Sequence, residues 1–143
     1  MPTPLIYNLA KENQWDGNAI NFDAAGASIK MSVRKATYSP NIDTDEAYSG
    51  LGANEVSGTG YTAGGVALVN QLVSVDTTND KAEFDFDDVT FSQNAAGFTD
   101  GRYGVLYQVA GNVFSYIDFG GDKSVVPGDL VVSPHATDGW MRW

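Results

Sequence analysis

The chain has 143 residues, 43% of them hydrophobic, a size that suits one domain able to bury its own core. It contains no cysteine, which excludes both a disulfide framework and a zinc–thiolate site. Asp and Glu number 18 against 8 Lys and Arg, for a formal net charge of -10, and such a surface repels nucleic-acid phosphates and anionic membranes, so neither is an expected partner.

The first residues, Met1-Pro2-Thr3-Pro4, show no basic region leading into an apolar run, and no stretch approaches the roughly 18 apolar residues of a membrane span. The expectation is a chain neither exported by a classical signal nor embedded in a membrane. Leu5-Ile6-Tyr7, following the two prolines, read as part of an N-terminal arm over residues 1–10 that packs on a neighbour.

From Ser28 to Arg34, Ile29, Met31 and Val33 alternate with Ser28, Lys30, Ser32 and Arg34, which predicts a strand with one buried and one wet face. Tyr38 to Gly65 breaks that alternation with Pro, Asn, Asp, Ser and Gly over a length greater than a connection within a compact domain needs. Within it, Asp43 as cap and Glu46 as its reciprocal partner predict a short helix from Thr44 to about Ser49, with an ordered loop from Gly50 to Gly65.

Val66 to Val75 is a β-branched run interrupted by Asn70 and Gln71, and Ala82, Phe84 and Phe86 then alternate with Lys81, Glu83 and Asp85. A hairpin across Asp76 to Asp80 is the natural connection, and Val89 and Phe91 continue the pattern. Arg102–Val109 and Val113–Phe119 are predicted to pair antiparallel, with Gly111-Asn112 supplying positive φ at the turn. A last strand at Leu130–Val132 is entered through Val126-Pro127-Gly128-Asp129, a type II turn pattern, and the tail from Ser133 reads as irregular. The fold class is therefore all-β: a single-domain antiparallel sandwich or barrel, jelly-roll-like, over residues 1–143, with a long ordered loop and short terminal arms.

Motifs of chemistry are sparse. Gly58-x-Gly60 and Gly64-Gly65 lack the Lys-Ser/Thr ending and following helix of a phosphate cradle. The acids Asp43, Asp45 and Glu46, and again Asp85, Asp87 and Asp88, offer oxygen ligands of the kind calcium takes, but neither group matches the twelve-residue calcium loop. His135 stands near Ser133 and Asp138, yet triad members normally come from separate elements and no nucleophile elbow is present. Glu12, Glu46, Glu55 and Glu83 are scattered without a context for glycoside hydrolysis. No catalytic residue, cofactor or metal is expected. Trp140-Met141-Arg142-Trp143 places hot-spot residue types at the end of the chain, so Trp140, Arg142 and Trp143 join Leu5, Ile6 and Tyr7 as candidates for subunit contact.

The stretch Asn54-Glu55-Val56-Ser57-Gly58-Thr59-Gly60-Tyr61-Thr62-Ala63-Gly64-Gly65-Val66, followed by Leu68, resembles a recurrent stretch of tailed-bacteriophage virion structural proteins. The likeness extends more loosely through Lys81–Asp85, Asp88–Phe91, Arg102–Tyr107 and Tyr116–Gly120, about half the chain, and leaves both ends uncovered. It implies a non-enzymatic, β-rich particle component: a capsid decoration (cement) protein on the outside of the shell, made in the host bacterial cytoplasm. The implied partners are the major capsid protein and the chain itself as a homotrimer, whose contacts must overcome the repulsion of like-charged copies. A tail, baseplate or fibre module and a carbohydrate-binding or glycan-cleaving domain are the alternatives.

Overall fold

The computed structural model describes residues 3–15, 22, 29–137 and 139–142. Along the chain run β1 (Leu5–Ile6), helix α1 (Asn8–Trp15), β2 (Ile29–Lys35), a 3₁₀ turn (Tyr48–Leu51), β3 (Val66–Ala67), β4 (Leu72–Asp76), β5 (Lys81–Asp85), β6 (Val89–Phe91), β7 (Gly101–Gln108), β8 (Val113–Lys123), β9 (Leu130–Val132) and β10 (Met141–Arg142). All pairing between these strands is antiparallel, in sheets ordered β1-β8-β7-β2-β3, β10-β5-β4 and β6-β9. The chain is thus the all-β antiparallel sandwich that its alternation and turn spacing predict.

The predicted hairpins form. Asp76 pairs with Lys81 across the β4–β5 turn, where the Asp76 carboxylate accepts hydrogen bonds from the Thr78 and Asn79 N–H groups at 2.9 and 3.2 Å and so fixes the reversal. In the β7–β8 hairpin Gln108 N–H donates to Asn112 C=O at 3.0 Å. The positive φ falls on Ala110, at 57°, rather than on Gly111-Asn112. An L-residue pays roughly 1–2 kcal/mol for that conformation, so the turn is held by its strands rather than by its own preference.

The core joins the sheets through aromatic rings. Phe22 lies 4.9 Å from Phe84 of β5 and 5.0 Å from Phe114 of β8, ring centroid to centroid, while Phe91 of β6 packs with Tyr61 and Phe98. Trp140 sits against Phe86 and donates its indole N–H to Ser115 Oγ at 2.8 Å, which ties this part of the chain to the start of β8.

Four expectations are corrected. Residues of the supposed N-terminal arm belong to the domain: Leu5 and Ile6 pair with Tyr116 and Ser115, and α1 follows. The helix expected from Thr44 is a 3₁₀ turn at Tyr48–Leu51 without a side-chain cap, its N-cap residue being Ala47, and Asp43 is engaged instead by the Asn8 amide at 2.6 Å. Gly128 lacks the positive φ of a type II turn. The tail from Ser133 is no loose end, since Met141 and Arg142 pair with Phe84 and Glu83 of β5. Gly139 permits that approach: at φ 60°, a Cβ there would stand 2.7 Å from the Phe84 carbonyl oxygen.

Candidate functional site

The site begins on β2. Its alternation predicts a wet face, yet Ser32 is 0% and Arg34 2% exposed, because residues 36–65 fold back over them. Burying a guanidinium demands partners. Arg34 finds them in the covering segment: Nη1 donates to Gly52 C=O at 2.9 Å and the charge lies 4.6 Å from the centre of the Tyr48 ring. Tyr48 in turn stacks on Tyr107 of β7 at 3.5 Å and 8°.

The segment is pinned at Glu55, which bridges Arg34 through the backbone. Its carboxylate accepts from Tyr48 OH at 3.0 Å, from Tyr61 OH at 2.6 Å and from the Gly64 N–H at 2.6 Å. Tyr61 OH also accepts from the Val33 N–H at 3.1 Å, and Tyr107 OH donates to Gly64 C=O at 2.8 Å. Gly65 then passes directly over β2; with φ 76°, a Cβ on it would lie 1.8 Å from the Met31 carbonyl oxygen. The glycines of this stretch are packing glycines. Gly58 is likewise pressed on Gly97, where a Cβ would meet backbone at 2.7 Å, so the backbone has no open cradle at that point.

A second chain of hydroxyls fixes the start of the cover. Tyr38 OH donates to Asp45 Oδ2 at 2.8 Å, leaving Tyr7 to donate to the Tyr38 oxygen at 2.6 Å. Burial pushes the hydroxyls of Tyr7, Tyr38, Tyr61 and Tyr107 above the ordinary phenolic range; hydrogen bonding to Tyr7 and Asp45 adds to this at Tyr38, and bonding to Glu55 adds to it at Tyr61. At neutral pH these groups are protonated donors. Neither network provides a general base of phenolate type, and the chemistry they perform is to hold the covering segment in one place.

Elsewhere, a cavity of about 180 Å³ opens between Tyr61, Thr62, Thr90, Phe91, Ser92 and Phe98, apolar rings and hydroxyls with no Asp, Glu, Lys, Arg or His among its lining residues. His135 lines an open groove with Asp85, Asp87 and Asp88, but Asp87 is engaged by the Asn70 amide at 2.7 Å. Asp138, the third member of the Ser-His-Asp pattern, lies outside the described residues. Among the described residues no group of three or more His, Cys, Asp or Glu is placed to hold a metal ion. Of the scattered glutamates, Glu55 is committed to its three donors and Glu83 to Arg142 at 2.9 Å.

The six interface candidates separate. Tyr7 is 0% exposed and Trp140 3%, so both belong to the chain's own core and neither offers a surface to a partner. Ile6 packs partly against that core, and Arg142 is taken up by Glu83 beside β5. Leu5 alone stands out, 50% exposed on a groove with Thr3, Ser39, Pro40, Tyr103, Tyr116 and Asp118, while Trp143 lies outside the described residues. Sequence reasoning passed over Arg34, Tyr48 and Tyr107. The available signal was the length of the Tyr38–Gly65 segment, which is that of a cover rather than a connection.

Comparison with protein-family models, with curated proteins and with solved structures finds no match to this chain.

Proposed function

We propose that the chain is a non-enzymatic structural component of a tailed-bacteriophage virion, a decoration protein that binds the major capsid protein on the outside of the shell and stabilises it. The observation that supports this is what becomes of the Asn54–Val66 stretch on which the resemblance rests. Its distinctive residues are used internally: Glu55 and Tyr61 in the hydrogen-bond lock, Gly58 and Gly65 in backbone contacts that admit no side chain. A recurrent sequence spent on rigidity suits a tile, whose task is to keep one shape against a shell.

The acidic surface, at -10, directs such a tile toward basic or neutral protein and away from nucleic acid and anionic membrane. Immunogold electron microscopy of intact particles, with antibody raised against the chain, tests the reading. Gold distributed over the heads is the expected result. Gold at the tail would replace it with a fibre or baseplate role, and unlabelled particles would remove the virion reading altogether.

A further inference from the structure

The β4–β5 hairpin runs past the core it starts from. Val73 and Val75 lie on the same face as Phe84, since Val73 pairs with Phe84 and Val75 with Ala82. Phe84 is wholly buried, but Val73 is 37% and Val75 72% exposed, and Trp15 of α1, 91% exposed, stands on the same apolar groove as Val73 and Ala82. The opposite edge of β4 pairs with no strand among the described residues. An apolar edge strand without Lys, Pro or a bulge is a template for another strand.

We infer that β4 is a self-association surface, on which two copies of the chain pair β4 to β4 antiparallel about a two-fold axis through Ser74. Two features select a second copy as the occupant. Val73-Ser74-Val75 is its own complement: centred on Ser74, the pairing sets Val73 against the second copy's Val75 and Val75 against its Val73, so the four valines form one cross-strand cluster flanked by both Trp15 rings, with Leu72 opposite Asp76 at the ends. The backbone edge supplies hydrogen bonds with no further adjustment. Charge does not bar the approach along the strand itself, on which Asp76 is the one carboxylate. That carboxylate is folded onto its own turn by Thr78 and Asn79 and pairs across the hairpin with Lys81. The contact is isologous and closes at two copies, in place of the three-fold arrangement that the resemblance implies. It does not depend on where in a particle the protein sits.

The absence of cysteine makes the test clean. Directly opposed residues of an antiparallel pair bring their Cβ atoms to about 4.5–5.5 Å, near disulfide range. The full-length chain with Ser74→Cys is therefore expected to form a disulfide-linked dimer under mild oxidation, whereas Ser57→Cys, exposed on the covering segment, stays unlinked. Light scattering should give the unsubstituted protein twice the 15.3 kDa of one chain, and Val75→Lys should return it to the single-chain mass with its circular dichroism unchanged. A wild-type protein that remains single or assembles in threes overturns the proposal. So does a dimer that survives Val75→Lys, or one in which Ser74→Cys cross-links no faster than Ser57→Cys.

Discussion

β2 and β4 carry the same kind of alternating pattern and meet opposite fates. In β2 the polar alternate positions, Ser32 and Arg34, are sealed beneath residues 36–65. In β4 the apolar positions Val73 and Val75 stand in solvent. Alternation states which residues share a face; whether that face is covered depends on what the rest of the chain brings over it. Here the cover is spent on the polar side of β2, leaving the apolar side of β4 to be met from outside.

That contrast is open to measurement. The largest effect is expected from alkali, which attacks the β2 side through its phenols. Their hydroxyls are held above the ordinary value near 10. Below that value both folded and unfolded states keep the protons and nothing changes. Above it only the unfolded chain ionises, so each buried phenol withdraws about 1.4 kcal/mol of stability per pH unit until it ionises in the folded state. With Tyr7, Tyr38 and Tyr107 acting together, loss of circular dichroism should coincide with a steep rise in phenolate absorbance; ionisation of all seven tyrosines in a still-folded chain would contradict the burial described.

Next in size is Gly65→Ala, which sets a methyl group on the Met31 carbonyl at a left-handed φ. Urea denaturation should show a loss of about 4 kcal/mol or more, at the severe end of single substitutions. Glu55→Ala removes the acceptor of three hydrogen bonds and should cost about 2 kcal/mol, the tyrosine hydroxyls keeping partial access to water. Val75→Lys on the other strand should change the stability of the single chain by no more than about 0.5 kcal/mol. If Glu55→Ala and Val75→Lys prove equally costly, the division between a covered and an uncovered strand fails.

The strands from β2 to β9 were largely legible because their periodicity is local and their turns are marked by Asp76, Asp80 and Gly111, whereas β1 and β10 were read as an arm and an irregular tail. Helix α1 was not, since Asn8–Trp15 carries few apolar residues and draws its placement from distant partners, among them the Ile42 carbonyl that accepts from Asn8 N–H at 2.7 Å. The acidic group at Asp43 and Asp45 read as a possible oxygen-ligand set and proved to be acceptors for Asn8 and Tyr38, a role set by residues on other elements. Tyr7 and Trp140, singled out for their place near the chain ends, lie in the core, since position near the end of a chain says little about depth in the fold. The glycines of the Asn54–Val66 stretch were conspicuous in the sequence, but their use lay in contacts with Met31 and Gly97 that only the tertiary structure brings close.

The Tyr48–Tyr107 stack also bears on the order in which the fold assembles. Arg34, Tyr48 and Glu55 lie near one another in the sequence, so the cover closes over β2 at a small cost in loop entropy, whereas the β2–β7 ladder joins Ile29 to Gln108 across most of the domain. Tyr48 belongs to the short-range set of contacts and Tyr107 to the long-range one. Their rings are where the two meet, and a chain that had closed its cover without β7 would still lack the surface on which Tyr48 comes to rest.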